Sequence, residues 1–150
     1  MSNNITNIFS LLCRSSSIDR DTNSASILEI IEEITITSDP FVKSDGNRQN
    51  NFIPLPFELF TLWERGIVVN EETICKVKIS IINPQKIEKE QITVPLKFES
   101  GKKRVRLRIK SPGINFSGYG THSFRIYLEV GGKFVTVKEI PLEIKSNIKI

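Results

Sequence analysis

Histidine and cysteine are scarce in this chain of 150 residues, and their scarcity excludes several kinds of site. With a single histidine, His122, the chain cannot supply the imidazoles of a His-rich binuclear zinc centre. Its two cysteines, Cys13 and Cys75, are far apart in sequence, which excludes a local Cys-x-x-Cys zinc or redox motif. The sequence therefore predicts no metal and no cofactor, and it favours two free thiols in a reducing compartment over a disulfide.

The signatures of common enzyme active sites are also missing. The chain contains no G-x-S-x-G nucleophile elbow, no P-loop and no G-x-G-x-x-G turn. His122 could act as a base only beside a carboxylate and a nucleophile. All four aspartates lie early in the chain, at Asp19, Asp21, Asp39 and Asp45. We therefore expect a protein that is not an enzyme, with His122 as a structural residue at the start of a strand.

Long apolar runs are lacking as well. No window approaches the roughly eighteen apolar residues of a membrane-spanning helix. The opening residues Met1–Asn7 carry no lysine or arginine, and the apolar stretch Ile8–Cys13 is too short for the core of a secretory signal peptide. We therefore expect a cytoplasmic protein without a membrane span.

Alternating apolar and polar residues predict several β-strands. Thr73–Asn83 and Lys102–Lys110 alternate with a period of two, which is typical of half-buried strands. Ser123–Val130 and Lys133–Ile144 flank Gly131–Gly132, and a two-glycine connection supplies the positive φ angles of a tight hairpin turn. Further strands are predicted at Gln91–Phe98, Ile53–Trp63 and Asn7–Cys13.

Residues 26–37 allow two interpretations, because their isoleucines fit both helical spacing and an imperfect alternation. The β-branched residues and the ending Thr35–Thr37 favour a strand, with a helix as the alternative. The polar segments Asp39–Asn51 and Lys86–Glu90 are predicted to be mobile loops. With seven or eight short strands, the sequence predicts an all-β fold: a single antiparallel, immunoglobulin-like β-sandwich over residues 1–150, with little or no helix.

Two smaller features each have a functional and a structural interpretation. Asp19, Asp21 and Asn23 have the opening spacing of a calcium-binding loop, but the glycine and the glutamate that complete such a loop are missing. We therefore expect a polar turn at residues 19–24. Trp63 could anchor a partner protein, but packing in the core is the better prediction because large aromatic side chains dominate core energetics.

The most distinctive feature is a row of cations on the predicted strand that spans residues 102–110. Cations at every second position would line one face about 7 Å apart, a spacing that could bind the phosphates of nucleic acid or acidic lipid. The structural alternative is a solvated face whose cations pair with acids such as Glu139 or Glu143, or protect a sheet edge from aggregation. This cationic row comprises Lys102, Lys103, Arg104, Arg106, Arg108 and Lys110.

The C-terminal third contains a glycine turn, a strand, a hairpin and a second strand, in residues Phe116–Lys133 and Ile140–Leu142. This order resembles the ending of immunoglobulin-like sandwiches found in small uncharacterised bacterial proteins. Ile18–Asn23 and Ser26–Leu28 are similar to the opening turn and strand of that group. The resemblance implies a fold, and it implies no established activity, catalytic residue or ligand.

The missing catalytic groups and the sandwich pattern together indicate a function in binding. We expect a non-catalytic binding or structural module that acts through a protein partner or through self-association along an exposed strand. The alternative is an anion-binding domain that uses the cationic row. Net charge is +4, with 21 lysines and arginines against 17 aspartates and glutamates, which is compatible with nucleic acid as a partner of that alternative.

Overall fold

The computed structural model describes residues 4–37, 52–66 and 70–147, which form strands and turns without a helix. The all-β prediction is therefore confirmed for these residues, and the predicted loop Asp39–Asn51 lies outside them. Within the same ranges, no helix has the length and apolar character needed to cross a membrane. The strands are β1 (Ile5–Ile18), β2 (Ala25–Ile30), β3 (Glu33–Ile36), β4 (Phe52–Ile53), β5 (Phe57–Arg65), β6 (Thr73–Ile82), β7 (Glu88–Phe98), β8 (Arg104–Ser111), β9 (Ile114–Asn115), β10 (Gly120–Val130) and β11 (Lys133–Ser146).

These strands form two large sheets and one small sheet. The four-stranded sheet has the order β2-β1-β5-β8, and the five-stranded sheet has the order β3-β11-β10-β6-β7. Strands β4 and β9 pair with each other alone. The pairs are antiparallel apart from β3 and β11, which run parallel, so the five-stranded sheet is mixed rather than purely antiparallel as predicted.

The predicted hairpin forms between β10 and β11. Gly131 and Gly132 join the two strands with φ angles of +59° and +79°, a region that a side chain makes costly. A bulge interrupts the pairing, because Lys138 lies opposite Ile126 whereas Thr136 lies opposite Tyr127. The turn chemistry thus sets the hairpin, and the bulge bends its second strand.

Two predicted segments are divided in the structure. Residues 26–37 are extended and not helical, but Ile31 and Glu32 separate β2 in one large sheet from β3 in the other. Pro54 and Pro56 break Ile53–Trp63 into β4 and β5, since proline cannot donate a ladder hydrogen bond. These breaks and the short strand β9 give eleven strands in the described residues, against the seven or eight predicted.

The two large sheets share one hydrophobic core. Leu12, Leu59 and Trp63 enter it from the four-stranded sheet, and Ile126 enters it from the five-stranded sheet. Trp63 has no exposed surface, and its indole Nε1 donates a hydrogen bond to Thr61 Oγ1 at 2.8 Å. The prediction that Trp63 packs in the core is confirmed.

A buried arginine joins two loops at one end of the core, the β5–β6 and β7–β8 connections. Arg65 donates from Nε to the carbonyl oxygen of Lys102 at 2.7 Å, from Nη2 to that of Glu99 at 2.9 Å and from Nη1 to that of Glu71 at 3.1 Å. Its guanidinium lies 5.4 Å from the centre of the Phe98 ring. Carbonyl dipoles compensate the buried charge, so Arg65 fixes the turn that leads into β8.

Candidate functional site

The distal part of the β1–β2 hairpin crosses the outer face of the four-stranded sheet. Strand β1 pairs with β5 only as far as Cys13 and then continues beyond β5, paired with β2 alone. We call residues 15–28 the arm. Asn23 near the tip of the arm contacts Arg106 of β8, although β5 lies between β1 and β8 in the sheet. The arm must therefore pass over β5 to reach the opposite edge.

The tip of the arm is the polar turn that the sequence predicts. Asp19 Oδ1 accepts hydrogen bonds from the backbone N–H groups of Thr22 at 2.9 Å and Asp21 at 2.8 Å. These bonds, that of Thr22 first, hold the pKa of Asp19 below its usual value. Asn23 adopts a φ of +58°, which asparagine tolerates better than most residues. Nowhere in the described ranges do three or more histidine, cysteine, aspartate or glutamate side chains converge as metal ligands would.

The arginines in the middle of the cationic row contact the arm. Arg106 Nη2 donates to the carbonyl oxygen of Asn23 at 2.7 Å, and its Nη1 donates to Asn23 Oδ1 at 3.2 Å. Arg108 Nη1 donates to Ser16 Oγ at 3.1 Å and lies 4.0 Å from Glu58 Oε1. Lys110 lies opposite Glu58 in the register of β8 and β5. The arm and β5 thus supply the partners of these arginines.

The cations at the start of the row gather around one carboxylate. Arg104 Nε donates to Glu64 Oε2 at 2.7 Å, and Lys103 Nζ lies 4.0 Å from Glu64 Oε1. The hydrogen bond from Arg104 is the main cause that lowers the pKa of Glu64, and Lys103 and the charge of Arg104 add to it. Lys102 precedes the strand, and its carbonyl oxygen binds Arg65. Two cations therefore share a single acid at this end.

The acids that the sequence indicated as partners belong to the other sheet. Glu139 and Glu143 lie on β11, where Glu139 Oε1 accepts a hydrogen bond from Arg125 Nε at 2.6 Å. The neighbour of β8 is β5, which supplies Glu58 and Glu64. Strand β8 does lie at the edge of its sheet, as one form of the structural alternative requires, but Glu139 and Glu143 do not lie on the strand beside it. Alternation identifies a strand, but it carries no information about which strand lies beside it.

A buried carboxylate lies beneath the arm. Glu58 is 1% exposed, and Ser16 Oγ donates a hydrogen bond to its Oε2. The thiol of Cys13 donates to the same oxygen, with Sγ 3.7 Å away. Burial first, and then Glu58, raises the pKa of the Cys13 thiol to about 11, so this thiol is a poor nucleophile near neutral pH. Sequence reasoning missed this cluster because Glu58 stands within an apolar run that gives no polar signal.

Aromatic packing extends this buried patch on the outer face. Phe60 is 1% exposed although it points away from the main core, and its ring stacks on that of Phe9 at a centroid distance of 5.8 Å. The outer face of the sheet is therefore covered here and not solvated. The link between the arm and β5 is the hydrogen bond from Ser16 to Glu58.

His122 and Cys75 lie away from this cluster. His122 is 1% exposed on β10, directly opposite Leu142, as expected of a structural residue near the start of a strand. Cys75 is half-buried on β6, and burial followed by the charge of Glu129 raises its thiol pKa to about 11. Cys13 and Cys75 are both free thiols, as the sequence predicts.

A polar network covers the outer face of the five-stranded sheet. Glu88 Oε1 accepts hydrogen bonds from Ser80 Oγ and Tyr127 Oη, each at 2.5 Å, and these lower the pKa of Glu88. Arg125 Nη1 lies 3.5 Å from Glu88 Oε2. Lys78 Nζ lies 4.2 Å above the Tyr127 ring. The charged and aromatic groups of this face are thus joined to one another across three strands.

The edge strands β8 and β7, and the part of β11 that β3 leaves uncovered, carry features that oppose pairing with another strand. Strand β8 carries the arginines of the cationic row, and β7 carries two lysines and Pro95. The first half of β11 lies beyond the reach of β3, and it carries Lys133, Lys138 and the bulge. Lysine, proline and bulges are the usual protection of an exposed edge.

Strand β2 lacks this protection. Ala25–Ile30 contains no lysine, arginine or proline. The edge strand β3 also has no lysine, arginine or proline, but it is four residues long and its Ile36 is buried. Leu28 is 55% exposed and Ile30 is 59% exposed. Glu29 has a φ of +53°, so the strand bends between these two apolar side chains. Among the edges that the structure describes, β2 is the one best suited to bind a further strand.

Comparisons with known proteins add little to this geometry. No protein family matches the chain, and no curated protein sequence is similar to it. Among solved structures, the N-terminal domain of PorA is similar over 93% of this chain and 98% of its own, at 12% identity and a TM-score of 0.24. A similarity at this level supports no conclusion about function.

Proposed function

We propose that this chain is a non-catalytic binding or structural module that works through protein–protein contacts, and that it associates with a second copy of itself along β2. The exposure of β2 carries the proposal, because every residue of the strand except Ile27 is exposed. An edge strand presents unpaired backbone N–H and C=O groups to a further strand. The exposed side chains of Leu28 and Ile30 would add apolar burial.

Charge favours a second copy as the occupant. Two copies that paired through β7, β8 or β11 would bring positive charges close to one another. Like charges on paired strands destabilise the pairing. Strand β2 carries one charge, Glu29, and Arg14 Nε lies 3.9 Å from its carboxylate. An antiparallel pair centred on Leu28 would place Glu29 opposite Ile27 of the second copy, so the two carboxylates would not be opposed.

Two variants of the same substitution test this interface. Ile30 and Ile74 are both 59% exposed, but Ile74 lies on β6 and outside the proposed contact. Sedimentation equilibrium should show a reversible dimer for the wild type and for Ile74→Lys, and a monomer for Ile30→Lys. A wild-type protein that stays monomeric at its highest soluble concentration, or an Ile30→Lys variant that still dimerises, would overturn the proposal.

The proposal that the module is non-catalytic has a separate test. His122 is 1% exposed, so a substrate in solvent has little access to its imidazole. A broad substrate screen with wild type and His122→Gln should detect no turnover that depends on this residue. Turnover that disappears in His122→Gln would show that the chain is an enzyme.

The cationic row supports a second candidate function, the binding of nucleic acid or acidic lipid. Lys103 and Arg104 share one carboxylate, Glu64, so positive charge is in excess at this end. Binding that phosphates drive must weaken steeply as salt rises. Duplex oligonucleotide and phosphatidylserine vesicles are the two probes, with a variant in which three arginines are replaced. Salt-sensitive binding by the wild type that becomes weaker in that variant would support this function. Equal binding by the two proteins would contradict it. The variant is Arg104→Ala, Arg106→Ala and Arg108→Ala.

We further propose that the chain is one immunoglobulin-like sandwich in the cytoplasm, related to the small bacterial proteins that it resembles. The core shared by the two large sheets supports the sandwich assignment. The free thiols of Cys13 and Cys75 support a reducing compartment. A single cooperative unfolding transition and recovery in the soluble cytoplasmic fraction are the expected results.

A further inference from the structure

An apolar cavity of about 150 Å³ lies between the two large sheets, near strands β7 and β8. Its walls come from both sheets, and the Phe57 and Phe124 rings meet edge to face at 5.6 Å beside it. The β6–β7 register shifts between Ile79 and Ile81, which both line the cavity. Bulges of this kind often lie next to binding sites. Other lining side chains are Leu59, Ile92 and Ile109.

The lining offers little to a polar ligand. Ser111 is the polar side chain of the described lining, and its Oγ donates a hydrogen bond to the carbonyl oxygen of Gly113 at 2.7 Å. Its hydroxyl hydrogen is therefore already used. No charged side chain belongs to the described lining. A charged or strongly hydrogen-bonding group placed here would lose its hydration without compensation.

We propose that this cavity binds a small, uncharged apolar molecule of about the size of benzene. Enclosed apolar cavities of roughly this volume admit such molecules, because water finds no polar partner on their walls, and the walls here have the same apolar character. Ile92 is 45% exposed at the rim, which gives the cavity a side that faces solvent. The proposal is independent of the β2 interface, since Leu28 and Ile30 are not part of the lining.

Methyl NMR of the wild-type protein tests the location and the class of ligand together. With isoleucine δ1 methyls labelled, benzene should shift Ile79, Ile81, Ile92 and Ile109 through ring currents and leave Ile74 unchanged. Benzoate has nearly the same shape but carries a charge, so it should bind at least about tenfold more weakly. Benzene that shifts none of the lining methyls, or benzoate that binds as well as benzene, would overturn the proposal.

A variant in which the cavity is filled provides a second test. Ile109→Phe adds volume at the wall formed by β8, and Ile74→Phe adds the same volume on the surface. Benzene should raise the Tm of the wild type and of Ile74→Phe, because a ligand that binds only the folded state stabilises it. It should not raise the Tm of Ile109→Phe. An equal rise in all three proteins would place benzene elsewhere and contradict the proposal.

Discussion

The two edges of the four-stranded sheet, β2 and β8, differ in almost every physical respect. Strand β8 is strongly basic, and the arginines on it are held by Glu64, Ser16 and Asn23. Strand β2 carries one charge and exposes two large apolar side chains. A distinctive row of cations can thus be engaged in contacts within the fold. An edge with few charges can be the one that remains accessible to a partner.

The arm connects the two edges physically. Its tip reaches β8 and supplies Asn23 to Arg106, while its second strand is β2 itself. Long-range contacts of this kind bring the N-terminal hairpin onto a strand that lies more than eighty residues later in the chain. The arm therefore holds β2 in place and at the same time occupies part of the cationic row.

The largest expected effect concerns the buried carboxylate that anchors the arm. Glu58→Ala should lower the free energy of unfolding by about 2–3 kcal/mol, because Ser16 and Cys13 lose their acceptor and Arg108 loses its nearest charge. Glu64→Ala removes a more exposed pair and should cost clearly less than Glu58→Ala, because solvent screens an exposed ion pair. Urea denaturation measures both. Equal costs would show that β8 is held no more firmly through Glu58 than through Glu64.

A smaller effect is expected when the contact between the arm and β8 is removed. Arg106→Ala should release the tip of the arm, so that arm amides exchange and Cys13 is alkylated about fivefold faster, the equivalent of about 1 kcal/mol. Arg104→Ala should change neither rate, since Arg104 contacts Glu64 and not the arm. Cys75 provides the internal reference for alkylation. Faster Cys13 alkylation in both variants would indicate a general loosening of the sheet.

The smallest effect is a change in titration at β8. The folded pKa of Glu64 is lower than its reference value of 4.5, so its pairing contributes stability above that value and is lost as pH falls through the folded pKa. Arg104→Ala should raise the Glu64 pKa towards 4.5 and flatten the pH dependence of stability below 4.5. Carboxyl NMR titration measures this shift, with Asp19 as an unaffected control. A Glu64 pKa that does not move would show that Arg104 is not the cause.

Local patterns predicted much of the fold. Alternation located β6 and β8, the two glycines located the β10–β11 hairpin, and β-branched residues correctly favoured strand over helix in residues 26–37. The same patterns could not show that Ile31 and Glu32 carry the chain from one sheet to the other. Each residue's own propensity is local, whereas sheet membership depends on packing between distant segments.

The amino-acid sequence by itself determined the strands, the turns, the burial of Trp63 and the position of the cations on one face of β8. Tertiary structure alone decided which acids face those cations, that the arm crosses β5, and that Glu58 and Cys13 meet beneath it. It also left β2 at an edge and opened the cavity beside Ile92. The reason is that periodicity fixes which face a side chain takes, while only strand order and register fix what it meets there.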